Sequence, residues 1–142
     1  MIFREVLRPP IWVLAFIYFI LLSLVIAIWA ALDERITQVA FVIATIAVGY
    51  LGLTWRSTIL ITDGELQIDR AHIERNFIGH ISVLDADQMR LLRTRDANPS
   101  AFLALKFWTS RGIKIEITDP RDPTPYWLVT SKRGDEIAAL LN

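Results

Sequence analysis

Two long apolar segments, separated by three charged residues, occupy the N-terminal part of the chain. They run from Ile11 to Leu32 and from Ile36 to Trp55, with Asp33-Glu34-Arg35 between them. A helix of 22 residues is about 33 Å long, enough to cross a hydrocarbon core of about 30 Å. Neither segment has the polar stripe of a helix in a soluble bundle. The sequence therefore predicts an N-terminal tail and a transmembrane helical hairpin within residues 1–55 (helices 11–32 and 36–55).

A cleaved signal peptide is the alternative for the first segment. Its apolar stretch exceeds the usual length of a signal h-region, and no A-x-A-like cleavage site follows it. The second apolar segment also comes almost at once. We therefore expect both segments to remain in the protein and to contact the lipid bilayer.

Basic residues at the segment ends predict the orientation of the hairpin. Arg4 and Arg8 precede the first segment and Arg56 follows the second, whereas the tip holds Arg35 beside two acids. Positive residues in short flanks favour the cytoplasmic side. We therefore expect the N-terminus and the C-terminal domain to be cytoplasmic. The absence of cysteine from the sequence is compatible with that reducing compartment.

Small residues recur along the second apolar segment, and they allow another helix to approach closely. They are Ala40, Ala44, Ala47, Gly49 and Gly52. This spacing has two explanations, packing within the hairpin or a contact with a second copy or another membrane protein.

Residues 56–142 alternate between apolar and polar side chains in short runs, which predicts strands. The predicted strands are Ser57–Thr62, Glu65–Arg70, Ala71–Glu74, Phe77–Leu84, Ala101–Thr109, Ile113–Thr118 and Tyr126–Thr130. Asp63-Gly64 is a hairpin signal, and Asp85 with Gln88 predicts the start of a short helix. Gly134–Leu141 has the pattern of a closing amphipathic helix, with Ile137, Leu140 and Leu141 directed inward. The chain is thus predicted to be an α+β membrane protein whose C-terminal part is a small antiparallel β domain.

Three stretches carry more specific detail. They are residues 116–133, which include a proline-rich segment, Ile61–Leu66 and Val83–Ala86. Together with the hairpin, they resemble an actinobacterial membrane-protein family, domain of unknown function 3093, over nearly the whole chain. The resemblance implies a multi-pass plasma-membrane protein with a pair of helices and a small cytoplasmic domain, and it implies no activity. The element order is also similar to that of pleckstrin-homology-like domains.

The proline-rich segment is the first candidate site. Three prolines restrict its backbone, and the candidate binding residues are Asp119, Arg121, Asp122, Tyr126 and Trp127. Arg, Tyr and Trp are enriched at the centres of protein interfaces. The alternative is a stiff connector in which the Asp side chains cap turns, Arg121 pairs with an acid and Trp127 lies in the core.

A second candidate consists of Arg90, Arg93 and Arg95, which flank the predicted short helix. They could bind anionic lipid headgroups, or they could form an ordinary solvated face diluted by the neighbouring acids.

No motif in the sequence indicates a reaction. The isolated glycines form no phosphate-binding loop, and no serine lies in a nucleophile elbow. His72 and His80 have no cysteine to complete a metal site; Asp69, Glu74 and Asp85 are the acids that could join them, but surface or hydrogen-bonded histidines are favoured. Twelve basic and twelve acidic residues after Trp55 give no nucleic-acid footprint. We expect no cofactor and a non-enzymatic accessory or docking protein at the membrane. The alternatives are a lipid-headgroup or small-ligand sensor and, less favoured, a membrane-bound hydrolase.

Overall fold

The structure, a computed structural model, describes residues 2–142 and divides the chain into two compact units. The helical unit comprises Arg8–Arg56. The β unit comprises Ser57–Asn142 together with the residues up to Leu7. Residues 2–7 of the predicted N-terminal tail therefore belong to the β unit.

The helical unit is a pair of long helices, α1 (Ile11–Ala31) and α2 (Glu34–Thr54). Asp33 is the N-cap of α2, and its carboxylate accepts a hydrogen bond of 2.9 Å from the backbone N–H of Ile36. The predicted break is therefore shorter than three residues, because Glu34 and Arg35 already lie in the first turn of α2. An acid in that turn also interacts favourably with the helix dipole.

Few side chains of this hairpin are buried. Those that are buried are Val13, Val25 and Ala44. The Tyr18 hydroxyl lies 2.9 Å from Thr45 Oγ1 and links the two helices. Most of the large apolar side chains of both helices are exposed. By length and composition, both helices are capable of crossing a membrane.

The β unit contains two four-stranded sheets. The first has the strand order β1-β2-β3-β4 and comprises β1 (Phe3–Leu7), β2 (Ser57–Ile61), β3 (Glu65–Ile68) and β4 (Ala71–Glu74). The second has the order β5-β7-β8-β6 and comprises β5 (Ile78–Leu84), β6 (Phe102–Ala104), β7 (Gly112–Ile117) and β8 (Tyr126–Thr130). A 3₁₀ turn, Arg75–Phe77, joins them, and α3 (Ala86–Arg93) and α4 (Gly134–Leu141) complete the unit.

Inward-facing residues of both sheets form one core with α4. The fully buried members of this core include Ile59 and Leu66 from the first sheet, Ile113 and Ile115 from the second, and Ile137 from α4. A smaller cluster around Met89, Tyr126 and Leu128 packs α3 on the other face of β8. The predicted arrangement of strands followed by a closing helix is confirmed at this level.

Three details differ from the sequence expectation. Strand β6 ends at Ala104 and not at Thr109. After Ala104, the N–H of Lys106 donates to the Thr130 hydroxyl at 3.1 Å, so it makes no backbone hydrogen bond of the sheet. Strands β6 and β8 are parallel, so the domain is not wholly antiparallel. Leu140 was expected to face inward but is exposed, because the core side of α4 is covered by Ile137, Ala138 and Leu141.

Strand β1 was not predicted. It precedes α1 in the chain and pairs antiparallel with β2, which follows α2, in a register that runs from Phe3 opposite Ile61 to Leu7 opposite Ser57. A fragment that begins at Arg56 would therefore lack one strand of the first sheet. The β unit therefore contains residues from both sides of the helical unit.

A buried carboxylate ties β1 to the second sheet. Glu5 is only 6% exposed, and it accepts hydrogen bonds from the Ser131 hydroxyl and from the backbone N–H of Lys132, the latter at 2.9 Å. Nearby, the Arg133 guanidinium pairs with Glu136 and lies 4.4 Å from the centre of the Phe3 ring. These contacts join the edge of the first sheet to the connection between β8 and α4. We call the set of Glu5, Ser131 and Lys132 the Glu5 clasp.

The Glu5 clasp leads to a stability prediction. Glu5→Ala would leave the Ser131 hydroxyl and the Lys132 N–H without their acceptor, so we expect the free energy of unfolding to fall by about 1–3 kcal/mol. Glu65→Ala on β3 is the matched control, because no hydrogen bond of the Glu65 carboxylate is present in residues 2–142, and we expect a change within about 0.5 kcal/mol. Denaturation of the full chain in mild detergent, followed by tryptophan fluorescence, measures both. Equal effects of the two substitutions would contradict the assignment.

Candidate functional site

Hydrogen bonds fix the conformation of the loop between β7 and β8, residues 118–125. Thr118 donates its N–H to the Phe77 carbonyl at 2.8 Å, and Asp122 donates to the Asp119 carbonyl at 3.1 Å. The Asp122 side chain caps the N–H of Thr124 at 2.9 Å. Pro120, Pro123 and Pro125 have no N–H to satisfy and restrict φ. The loop is therefore rigid without being buried.

Arg121 and Asp119 form a forked ion pair within this loop. Arg121 Nε lies 3.2 Å from Asp119 Oδ1, and Nη2 lies 3.3 Å from Oδ2. The backbone N–H of Arg121 also donates to Oδ1 at 2.9 Å. The Arg121 side chain is 75% exposed, against 16% for Asp119. The pair thus fixes the orientation of the guanidinium while leaving it open to solvent.

The pair shifts the titration of both groups. The side-chain hydrogen bond from Arg121, and then its backbone hydrogen bond, lower the pKa of Asp119 below its ordinary value. The hydrogen bond to Asp119 raises the pKa of Arg121, so the guanidinium stays charged. At any pH above the range in which Asp119 is protonated, the loop presents the Arg121 cation beside the Asp119 anion, both in fixed positions.

The loop forms one wall of a shallow cleft of about 190 Å³. The residues that line it are His72, Ile73, Glu74, Phe77, Asp119, Arg121, Asp122 and Trp127. The Arg121 guanidinium lies 5.2 Å from the centre of the Phe77 ring, within the range of a cation–π contact. The cleft therefore combines acidic groups, one oriented cation and aromatic surface.

The structure places four of the five predicted loop residues on this cleft and the fifth elsewhere. Asp119, Arg121, Asp122 and Trp127 line the cleft. Trp127 is only 5% exposed and belongs to the main core, and Arg121 pairs with Asp119, both as the connector alternative expected. Tyr126, the residue before Trp127 on β8, packs in the cluster under α3, and Lys114 Nζ lies 4.7 Å above its ring. Neighbouring residues of a strand point to opposite faces, which separates the two aromatic rings.

The opposite wall of the cleft was not predicted. His72 and Glu74 come from β4, and Phe77 comes from the 3₁₀ turn after it. They meet the loop because of the long-range bond between Thr118 and Phe77. No local pattern in the sequence signals that contact. Within residues 2–142, the structure contains no group of three or more His, Cys, Asp or Glu residues arranged to hold a metal ion.

The three candidate headgroup residues are exposed but differ in their contacts. Arg90 lies 3.7 Å from Asp87, and Arg95 lies 3.4 Å from Asp96. Arg93 Nε donates to the Met89 carbonyl at 3.4 Å and closes the C-terminal end of α3. Arg90 and Arg93 belong to the last turn of α3, and Arg95 follows it.

The small residues of α2 do not all have the same surroundings. Ala44 is buried, and Ala40 and Ala47 are partly buried. A Cβ atom added to Gly52 would lie 3.2 Å from Leu14 Cδ1 of α1, whereas one added to Gly49 would meet nothing within 4 Å. Packing within the hairpin accounts for Gly52 but not for Gly49.

The comparison with protein families agrees with this architecture. The family described as Protein of unknown function (DUF3093) matches residues 2–141, and the match includes β1, both apolar helices and the rest of the β unit. The chain belongs to the DUF3093 family. The searches of curated proteins and of solved structures each found no match to this chain. Membership in the DUF3093 family indicates no particular activity.

The ion pair in the loop predicts a specific pH effect. Asp119 has a lower pKa in the folded than in the unfolded state. The pair therefore stabilises the fold above the unfolded-state pKa of about 3.9, and that stabilisation is lost as the pH falls through the folded-state pKa. In Arg121→Ala we expect the pKa of Asp119 to rise. The contribution of Asp119 to the pH dependence of stability should then become smaller. Carbon-13 NMR titration of the Asp119 carboxyl measures the shift.

Arg70→Ala is the matched control, because Arg70 is an exposed arginine in the turn between β3 and β4, away from the cleft. It should leave the titration of Asp119 unchanged. An unaltered pKa of Asp119 in Arg121→Ala would contradict the role assigned to the ion pair.

Proposed function

We propose that this protein is a multi-pass plasma-membrane protein whose β unit is a non-enzymatic docking module on the cytoplasmic side. The observation that carries the proposal is the exposure of the apolar side chains of both long helices. Buried residues in α1 and α2 amount to Val13, Val25 and Ala44. A helix of 21 residues is about 31 Å long, so a bilayer is the solvent that matches both its length and its surface.

The pairing of β1 with β2 supports the proposed topology. Leu7 and Ser57 are partners in the first sheet, and the whole helical unit lies between them in the chain. A strand pair requires both partners to be on one side of a membrane, which two crossings allow and one crossing does not. Arg4, Arg8 and Arg56 near the helix ends favour the cytoplasmic side for the β unit.

The cleft beside the 118–125 loop supports the docking role. Its loop wall is rigid, and the exposed guanidinium of Arg121 is held in one orientation by Asp119. A preorganised arginine loses little conformational freedom on binding, and arginine is among the side chains that dominate interface energies. We propose that a protein partner presents polar groups to this cleft.

A second candidate function is the recognition of a small ligand or a lipid headgroup. The exposed Arg90 and Arg95 support headgroup recognition, and the polar lining of the cleft supports a small ligand. The succession of seven strands after α2 and a closing helix also leads us to propose that the β unit is pleckstrin-homology-like, an analogy in element order.

The topology predicts a labelling pattern. Because the sequence contains no cysteine, single cysteines at Glu34 and at Asp135 can be labelled separately. A membrane-impermeant maleimide added to intact cells should label the cysteine at Glu34, and the cysteine at Asp135 only after lysis. Labelling at Asp135 in intact cells would reverse the proposed topology.

The docking role predicts the behaviour of Arg121→Ala during purification. An exposed ion pair contributes little to stability, so we expect the melting temperature to stay nearly unchanged. Binding of the partner should weaken by at least about tenfold, as expected for a central arginine. Quantitative mass spectrometry of proteins that co-purify with the full chain in mild detergent measures this loss, and Arg70→Ala is the control.

A lower melting temperature with unchanged recovery of every co-purifying protein would make the loop a structural connector. It would also contradict the docking proposal.

A further inference from the structure

Strand β5 is an edge strand, and it is the longest strand in the part of the chain that the structure describes. It has seven residues, and the order β5-β7-β8-β6 gives it β7 as its one neighbour in the sheet. The other edge strands are shorter, with five residues in β1, four in β4 and three in β6. A long edge strand is the kind to which another polypeptide most readily adds a strand.

The sequence of β5 carries few of the usual protections of an edge. It contains no proline and no Lys, Arg, Asp or Glu, which are residues that discourage strand addition. A break in the register with β7, between Ile78 and Ile81, distorts the first part of the strand. From Ile81 to Leu84 the register is regular. The second half of β5 is therefore a regular edge without charge.

The side chain of Asn142, the residue that follows α4, occupies this edge at Ile81. The backbone N–H of Ile81 donates to Asn142 Oδ1 at 3.0 Å, and Asn142 Nδ2 donates to the Ile81 carbonyl at 3.1 Å. A hydrogen-bonded residue pair of an antiparallel sheet exchanges the same two bonds. The carboxamide therefore satisfies Ile81 as a residue of an adjacent strand would.

The attachment of α4 does not depend on this carboxamide alone. Ile137 of α4 is fully buried in the main core, and Arg75 Nη2 donates to the Leu140 carbonyl at 2.9 Å. Removal of the Asn142 side chain should therefore uncover Ile81 while α4 stays packed. Val83, two residues further along β5, directs its backbone groups to the same edge by the alternation of an antiparallel strand.

We propose that Asn142 holds the β5 edge closed against antiparallel pairing with β5 of a second copy of this chain. An uncharged strand meets no like-charge repulsion from an identical strand, and a two-fold axis brings identical surfaces together. With Ile81 opposite Ile81, His80 of one copy lies opposite Ser82 of the other. The inference concerns the β unit alone, and β5 contributes no residue to the cleft beside the 118–125 loop.

The first test measures whether the carboxamide protects Ile81. Hydrogen–deuterium exchange of the full chain in mild detergent, with fragmentation that resolves single amides, compares the native protein with Asn142→Ala. We expect the Ile81 amide to exchange about tenfold faster in Asn142→Ala, because its hydrogen-bond acceptor is lost. Arg75→Ala is the matched control, since it removes the other bond to the last turn of α4 and retains the carboxamide. It should leave exchange at Ile81 close to native.

The second test measures pairing between copies. Because the sequence contains no cysteine, His80→Cys and Ser82→Cys can be prepared as single-cysteine chains with tags of different size and then mixed under mild oxidation. Opposite residues of an antiparallel pair have Cα atoms about 4.5–5.5 Å apart, within reach of a disulfide. We expect the mixed disulfide to increase several-fold when both chains also carry Asn142→Ala, and not when both carry Arg75→Ala.

Three results would overturn the inference. Native exchange at Ile81 in Asn142→Ala would show that the carboxamide does not protect the edge. Faster exchange without an increase in the mixed disulfide would show an open edge that does not pair with a second copy. Equal effects of Arg75→Ala and Asn142→Ala would assign the protection to the docking of α4 and not to the carboxamide.

Discussion

The pairing of β1 with β2 is the constraint on which the remaining architecture depends. The two strands lie on opposite sides of the helical unit in the sequence, yet Leu7 faces Ser57 in the sheet. Backbone hydrogen bonds between β1 and β2 join the part of the β unit that precedes the helices to the part that follows them. The helical unit is therefore an insertion in the chain between two neighbouring strands of one sheet.

The Glu5 clasp makes this edge strand part of the core and not an appendage. An edge strand that pairs on one side only is held by a single ladder. Glu5 adds contacts to the far end of the chain, at Ser131 and Lys132, and Phe3 adds its ring to the main core. Sequence-distant residues at both ends of the chain thus close the same domain.

Local signals predicted the elements whose causes are local. The apolar runs predicted α1 and α2, Asp85 with Gln88 predicted the capping box of α3, and Asp63-Gly64 predicted the hairpin between β2 and β3. Strand β1 escaped prediction because its inward-facing positions include the charged residue Glu5, and because its partner lies beyond two helices. An acid on the inner face of a short strand conceals the apolar alternation.

The candidate site also has a part that local sequence signals predicted and a part that they did not. The prolines and Asp residues of the 118–125 loop indicated a rigid, turn-rich connection, and the side-chain bonds of Asp119 and Asp122 have that form. The wall formed by His72, Glu74 and Phe77 depends on how the first sheet meets the second, which no spacing in the sequence expresses. The separation of Tyr126 from Trp127 follows from strand alternation, once the limits of β8 are known.

The position of β1 before the helices has a consequence for biosynthesis. This strand is made before both apolar helices and its partner β2 after them, and Ser131 and Lys132, which donate hydrogen bonds to Glu5, are made later still. During that interval Phe3, Val6 and Leu7 have no sheet to join. The edge of the β unit can close only after the helical unit has been synthesised, so completion of the β unit waits for the two helices. A chain interrupted between α2 and β2 would leave an unpaired apolar strand, a ready partner for aggregation.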